Sequence, residues 1–338
     1  MATLKVCLVQ FLNGFKDSLV GSVKFFQRQN AILANQQART LGKKQLSKNE
    51  KFYTNLIQSC ILNGVFLFLC ICIFNYILMP VLNSIAFKLI SASNHNLINN
   101  YLNPCFQILF SSVWILPVFL LCKLFNLIWH QEIADIAYEF KYGKPKTNPN
   151  QSFSDLIADM VFSVTMQLIF LVQSSLMGLI PAPWLSILLG HFHTSFLYAL
   201  YAFEYKLCNK GLDIKKRIEH IEQRWPYYWG FGLSMSLILS VAEAYIYNAA
   251  LFGFIFPAFI ISAIESDSEK LEPVMYLKHD FSSQTGFRTE KFRIKLFKIS
   301  IYVTDCIFKF FMKKEIEKLK QKNAKPVEQQ TFTIRKTN

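Results

Sequence analysis

The chain has 338 residues, 52% of them hydrophobic, with 33 Phe and only 17% charged residues. That is too apolar for an ordinary soluble domain and excludes a disordered or nucleic-acid-coating polypeptide, because the charge is confined to blocks. The net charge of +14 sits beside apolar runs, where Lys and Arg report cytosolic loops and anionic headgroups; no nucleic-acid partner is expected.

From Leu4 to Arg28, Leu4, Leu8, Phe11, Phe15, Leu19, Val23 and Phe26 recur at spacings of three and four, opposite Lys16, Lys24 and Arg28. The pattern predicts an amphipathic helix that lies at the membrane interface or packs on the protein's own cytosolic side, and the sequence leaves both open. A polar linker, Asn30 to Lys51, completes an amino-terminal segment over 1–50. The membrane domain is expected over 51–264. Its first crossing lies near Ile57 to Leu82 and its second near Cys105 to Cys122. Beyond Lys123, NLIWHQEIADIAYEF turns amphipathic, with Glu132, Asp135 and Glu139 on one face, so the second helix projects into the cytosol. Three carboxylates in this pattern could suggest a cation site, but a solvated or ion-paired face is the commoner use and is the reading adopted.

No charge occurs between Asp159 and Glu204, a run long enough for two crossings, Met160 to Ile180 and Trp184 to Phe203, joined at Pro181-Ala182-Pro183. His191 and His193, two residues apart on a helix, do not form a metal pair. A basic loop, 204–226, follows. Within it Asn209-Lys210-Gly211 makes a turn, Ile214, Ile218 and Ile221 mark one helical face, and Trp225, Tyr227, Tyr228 and Trp229 form an aromatic girdle at the membrane surface. Lys215, Lys216, Arg217 and Arg224 are the candidate contacts for anionic lipid or a partner protein. The alternative is that they pair with Glu132, Asp135 and Glu139 and hold two cytosolic helices together.

The run from Tyr227 to Ile264 is short for two full crossings, so a pair of short or half-penetrating helices is expected. Glu243 is its single intramembrane acid, a functional candidate by default. No Arg or Lys stands in the apolar runs to help bind an anion. The remainder, 265–338, reads as a cytosolic tail, linker-like to Glu290, with a basic amphipathic helix near 291–312 carrying Lys291, Lys295, Lys298, Asp305 and Lys309 on one face. Both termini are expected in the cytosol, which leaves the sequon at Asn150 unglycosylated. The eight cysteines contain no CxxC, and no metal, cofactor or catalytic constellation emerges. The fold class is all-α: a polytopic helical membrane protein with about six membrane-embedded segments and cytosolic amphipathic helices.

The segments IWHQEIADIAYEF, FEYKLCNKGLDIKKRIEHIEQRWPYYWGFGL and FPAFIISA resemble the etoposide-induced protein 2.4 family over roughly Lys51 to Ser266. The resemblance implies a multi-pass protein of the endoplasmic reticulum that acts in autophagy at the maturation of autophagosomes, and with no catalytic constellation in the sequence a non-enzymatic role is expected. It also implies a role in growth suppression and apoptosis. Membrane or autophagy proteins are the implied partners, beside the lipid bilayer, and a homo-oligomer is compatible with the pattern. The family is distantly similar to bacterial CysZ-type sulfate permeases, whose helix pairs penetrate the membrane only partly, so an anion transporter or channel is the alternative.

Overall fold

A computed structural model describes residues 2–37, 43–89, 116–146, 153–241, 245–279 and 287–310. Glu243, the Asn150 sequon, most of the Lys88 to Pro104 loop, the start of the second crossing and the chain past 310 lie outside the described residues.

Helix α1 spans Ala2–Gln37. Helix α2 begins as Lys43–Cys60, passes through a π-helical stretch at Ile61–Phe66, resumes at Leu67–Ile73, widens again at Phe74–Leu78 and ends as Met79–Leu89. Then come α3 (Leu116–Tyr142), α4 (Phe153–Leu176, closed by a 3-10 turn at Met177–Leu179), α5 (Pro183–Asn209), α6 (Ile214–Gln223), α7 (Trp225–Leu239) and α8 (Tyr245–Glu265). Beyond α8, β1 (Met275–His279) and β2 (Phe287–Lys291) form a small antiparallel hairpin with Met275 opposite Lys291 and His279 opposite Phe287. A last helix, α9, covers 298–310.

The protein is all-α apart from that hairpin. The hairpin falls in the stretch that reads as a linker, and residues 292–295 are irregular before α9 starts. Among the described residues, two helical segments are long and apolar enough to cross a membrane, Lys48–Cys70 and Val161–Leu179, and Ala250–Glu265 is a shorter apolar one. Helix α7 has 15 residues, about 22 Å at 1.5 Å per residue, which is less than the ~30 Å of a bilayer's hydrocarbon core.

The hub is α5. From His193 to Asn209 every residue is buried or half-buried, and its large exposed apolar residues are confined to Trp184, Ile187 and Leu188. The Phe203 ring meets Tyr228 edge-on at 4.7 Å and Phe231 at 4.8 Å, and Phe231 reaches Phe259 of α8 at 4.5 Å. Most of the expected crossing Trp184 to Phe203 therefore faces protein. Composition cannot distinguish the two environments, since both exclude polar groups.

Helix α1 inverts its own pattern. Its buried positions are Gln10, Gly14, Ser18, Gly21, Phe25 and Gln29, whereas Leu4, Leu8, Leu12, Leu19 and Val23 are exposed. The glycines explain this, because a Cβ at Gly14 would stand 2.0 Å from Tyr227 O, and one at Gly230 would stand 2.1 Å from Phe11 O. Small residues let two helix backbones touch, as in membrane helix pairs.

Candidate functional site

The basic loop is built on a Schellman turn. Gly211 takes φ 75°, its N–H donates to Cys208 O at 2.7 Å, and the Leu212 N–H donates to Leu207 O at 3.2 Å. These bonds satisfy the last carbonyls of α5 and reverse the chain into α6. Ile214, Ile218 and Ile221 face the core, as their spacing requires. Pro226 stands in the first turn of α7, where the missing N–H costs little.

The four basic candidates divide into two pairs. Lys215 and Lys216 are exposed, and Lys216 Nζ lies 3.1 Å from Asp213 Oδ2. Arg217 is buried; its Nε donates to Leu212 O at 2.6 Å and Nη1 lies 3.7 Å from Glu204 Oε1. Glu204 also accepts hydrogen bonds from Ser163 and Gln167 of α4. Arg224 donates from Nε to Leu271 O at 2.7 Å and from Nη1 to His220 Nδ1 at 3.1 Å. Two of the four can thus meet an external surface, and the other two fasten α6 to its neighbours.

The acidic face of α3 does not meet α6. Glu132 accepts from Lys51 Nζ at 3.0 Å and Asn55 Nδ2 at 2.6 Å, and Glu139 accepts from Lys48 Nζ at 2.6 Å. Asp135 accepts from Asn209 Nδ2 and Gln131 Nε2, both at 2.8 Å. The expected pairing with Lys215, Lys216, Arg217 and Arg224 is replaced by pairing with α2 and the end of α5. The Lys51 hydrogen bond holds the Glu132 carboxyl below its ordinary range, with burial opposing and Asn55 assisting. For Asp135 burial dominates and raises the value, against its hydrogen bonds from Asn209 and Gln131.

Deeper in the same seam lies a buried polar network that the sequence reading did not single out. Asn63, within the first π-helical stretch of α2, exchanges side-chain hydrogen bonds with Asn126 of α3, at 2.9 and 2.8 Å, and donates to Gly253 O of α8 at 3.2 Å. Ser59 joins it at 3.1 Å from His130 Nε2 and 3.2 Å from Asn126 Oδ1. π-Helical turns are uncommon and often mark functional positions. This one lies in a segment apolar enough to cross the membrane, where satisfied polar pairs hold helices together.

Two further features escaped the charge pattern. Lys206 is fully buried, correcting the expectation that no Lys or Arg stands inside. Its Nζ donates to Ser266 O at 2.7 Å and Oγ at 3.2 Å, while Tyr142 donates to Ile264 O at 3.4 Å and Lys141 to Glu265 O. These groups cap the carbonyl end of α8, a favourable place for positive charge. The signal was Lys206 standing one turn after Phe203 on the α5 face that points inward.

The other feature is the tail. Glu222, nearly fully buried, accepts from Arg293 Nε at 2.5 Å and Phe297 N at 3.2 Å; the Val274 N–H donates to Gln223 O at 3.1 Å. Burial raises the Glu222 value, with Arg293 opposing. The Phe297 ring lies 4.5 Å from Phe170 of α4, and Phe308 of α9 lies 5.3 Å from Phe162. One side of α9 is therefore docked on protein, while Ile299, Tyr302 and Phe310 stay exposed.

The sequence is similar to "Ectopic P granules protein 4" of Caenorhabditis elegans, 28% identical over 152 residues, which is 45% of this chain and 47% of that protein. It is 25% identical over 185 residues to "Protein EI24 homolog" of Arabidopsis thaliana, 48% of this chain and 57% of the relative. A "Protein EI24 homolog" of Dictyostelium discoideum is 25% identical over 227 residues, 66% and 69%. The matched stretch spans about half the length of the first two relatives. No solved structure matches the chain. Residues 38–257 match the family described as "Sulfate transporter CysZ/Etoposide-induced protein 2.4", a stretch that begins just past α1 and reaches into α8. The chain is a membrane protein and belongs to this family.

Proposed function

We propose that the protein is a multi-pass component of the endoplasmic reticulum membrane that acts in autophagy, in the maturation of autophagosomes into degradative autolysosomes, as a non-enzymatic factor. A growth-suppressing or pro-apoptotic role belongs to the same reading. Family membership over residues 38–257 carries it, through what the resemblance implies for function. Support for placing both termini on the cytosolic side comes from the density of Lys and Arg there, and from Gln10 Nε2, which donates to Glu272 O at 2.9 Å and so brings α1 to the segment after α8. The partner-facing elements are the exposed Lys215 and Lys216 of α6.

The test is degradation of an autophagic cargo in cells lacking the protein, rescued with wild type or with Lys215→Gln/Lys216→Gln at equal membrane abundance. Wild type restores turnover and the double variant restores it only in part. Turnover unchanged by deletion overturns the autophagy assignment, and full rescue by the variant removes the two lysines from the contact.

The second reading, an anion path of the sulfate-permease type, is favoured by the family description. Against it, the buried cations among the described residues are committed to protein acceptors, Lys206 to Ser266 and Arg217 to Leu212 and Glu204. Sulfate flux into proteoliposomes above protein-free controls would establish it.

A further inference from the structure

We propose that the groove between α5 and α7 is a slot for one acyl chain of a membrane phospholipid. The groove has a volume of about 490 Å³ and is lined by Trp184, Leu188, Phe192, Trp229, Leu233 and Leu237, among others. That is within the ~300–1,000 Å³ of small-molecule sites, and the lining is apolar side chain almost throughout. Gly232 seats α7 against Ser195 O of α5, where a Cβ would come within 1.7 Å, so the two helices meet at backbone contact beside the groove. Apart from the indole N–H groups of Trp184 and Trp229, the polar side chain on the wall is His191, whose Nδ1 lies 2.8 Å from Ser236 Oγ, itself 2.7 Å from Thr194 Oγ1.

Three observations select a lipid as the occupant. The rim is exposed where a membrane protein meets the bilayer: Trp184 is 70% exposed, Leu188 56% and Leu237 44%. At its edge the groove abuts α1, since the Trp229 ring stands 5.3 Å from Phe192 on one side and 4.8 Å from Phe11 on the other. Beyond Phe11 run the exposed leucines of α1, with exposed Lys5 and Lys16 about one and a half turns to either side. A chain lying in the groove would therefore end its apolar course where cations begin, the layout of a phospholipid with its phosphate at the surface. Finally, the indole N–H of Trp229, on the groove wall, is buried with no acceptor among the described residues. Buried Trp N–H groups normally find a partner, and the ester and phosphate oxygens of a lipid are acceptors of the kind Trp meets at membrane interfaces. The inference requires only that the protein is in a membrane and stands apart from the autophagy assignment.

The full chain in lipid nanodiscs, doped with a phosphatidylcholine carrying a photoactivatable group on one chain, tests this. Cross-links are expected on peptides covering 184–192 and 229–237, and delipidated protein in mild detergent retains about one phospholipid per chain. Leu188→Trp and Leu233→Trp, which fill the groove, reduce both signals about tenfold, while Leu168→Trp on the exposed face of α4 leaves them unchanged. Thermal melting and gel filtration confirm that each variant is folded. Cross-links spread evenly over α2, α4 and the groove would mean annular lipid only and overturn the proposal. So would wild-type protein running as a dimer that Leu188→Trp splits, which would make the groove a contact between two copies. Equal labelling of filled and open variants would sink it as well.

Discussion

The seam of α1 with α7 and α8 and the seam of α2 with α3 hold helices together by opposite means. In the first, side chains are missing where the backbones meet, at Gly14, Gly21 and Gly230, and a polar bond such as Tyr227 OH to Asp17 Oδ2 at 3.0 Å is secondary. In the second, side chains reach across, through Lys48–Glu139, Lys51–Glu132, Ser59–His130 and the reciprocal Asn63–Asn126 pair. A shape-based seam has no tolerance for added atoms, whereas a polar seam can lose one bond and keep the rest. The two should therefore fail differently.

The largest effect is expected at the close approaches. Gly230→Leu drives a side chain into Phe11 O and Gly232→Leu into Ser195 O; overpacking of this severity costs about 3 kcal/mol or more. Folded, monodisperse protein should be lost from gel filtration, whereas Gly178→Leu, with no atom within 4 Å of the added Cβ, behaves as wild type. If Gly230→Leu folds normally, α1 is not docked as described.

Next comes Asn126→Leu. It leaves the buried Asn63 Oδ1 without its donor, a loss of about 1–3 kcal/mol, while Ser59 keeps His130 and the Asn63 Nδ2 keeps Gly253 O. Asn63→Leu/Asn126→Leu should recover part of it, because both partners are then gone. A thermal-melt cycle over the four proteins measures the coupling, and strictly additive losses would dissolve the pair.

pH should separate the α2–α3 seam from the docking of the tail. Glu132 has its folded value below the ordinary one, so its contribution is present above the ordinary glutamate range, about 4.3, and is lost as pH falls through the folded value. Glu222 has its folded value raised, so the native state holds the extra proton and docking of the 292–297 segment weakens as pH rises from the ordinary value through the raised one. Lowering pH should thus loosen α2 from α3 while protecting 292–310 from protease. Glu132→Gln abolishes the first response and Glu222→Gln the second; a common direction for both would contradict the assignments. The smallest effect belongs to Lys48→Ala, which removes a half-exposed ion pair and about 0–1 kcal/mol.

How far the sequence could be read follows the same division. The Gly211 turn, the Ile face of α6 and the apolar runs were legible because each depends on local spacing. The docking face of α1 was not, since its leucines carry the periodic signal and its closest contacts are made at Gly14 and Gly21, which have no side chain. Arg217 and Arg224 looked like loop charge, but their acceptors are backbone carbonyls at Leu212 and Leu271, and no residue pattern marks a carbonyl. The partners of Glu132 and Glu139 were invisible for a related reason. Lys48 and Lys51 stand about eighty to ninety residues earlier in the chain, where they read as the basic border of a membrane run.

The inverted surface of α1 has a consequence for the order in which the molecule is completed. Its docking sites on Tyr227, Ser262 and Glu272 lie 210, 240 and 262 residues away along the chain, so α1 leaves the ribosome long before they exist. Until then its glycine face has nothing to close on. α1, the earliest of the described helices in the chain, is therefore among the last to be locked in place.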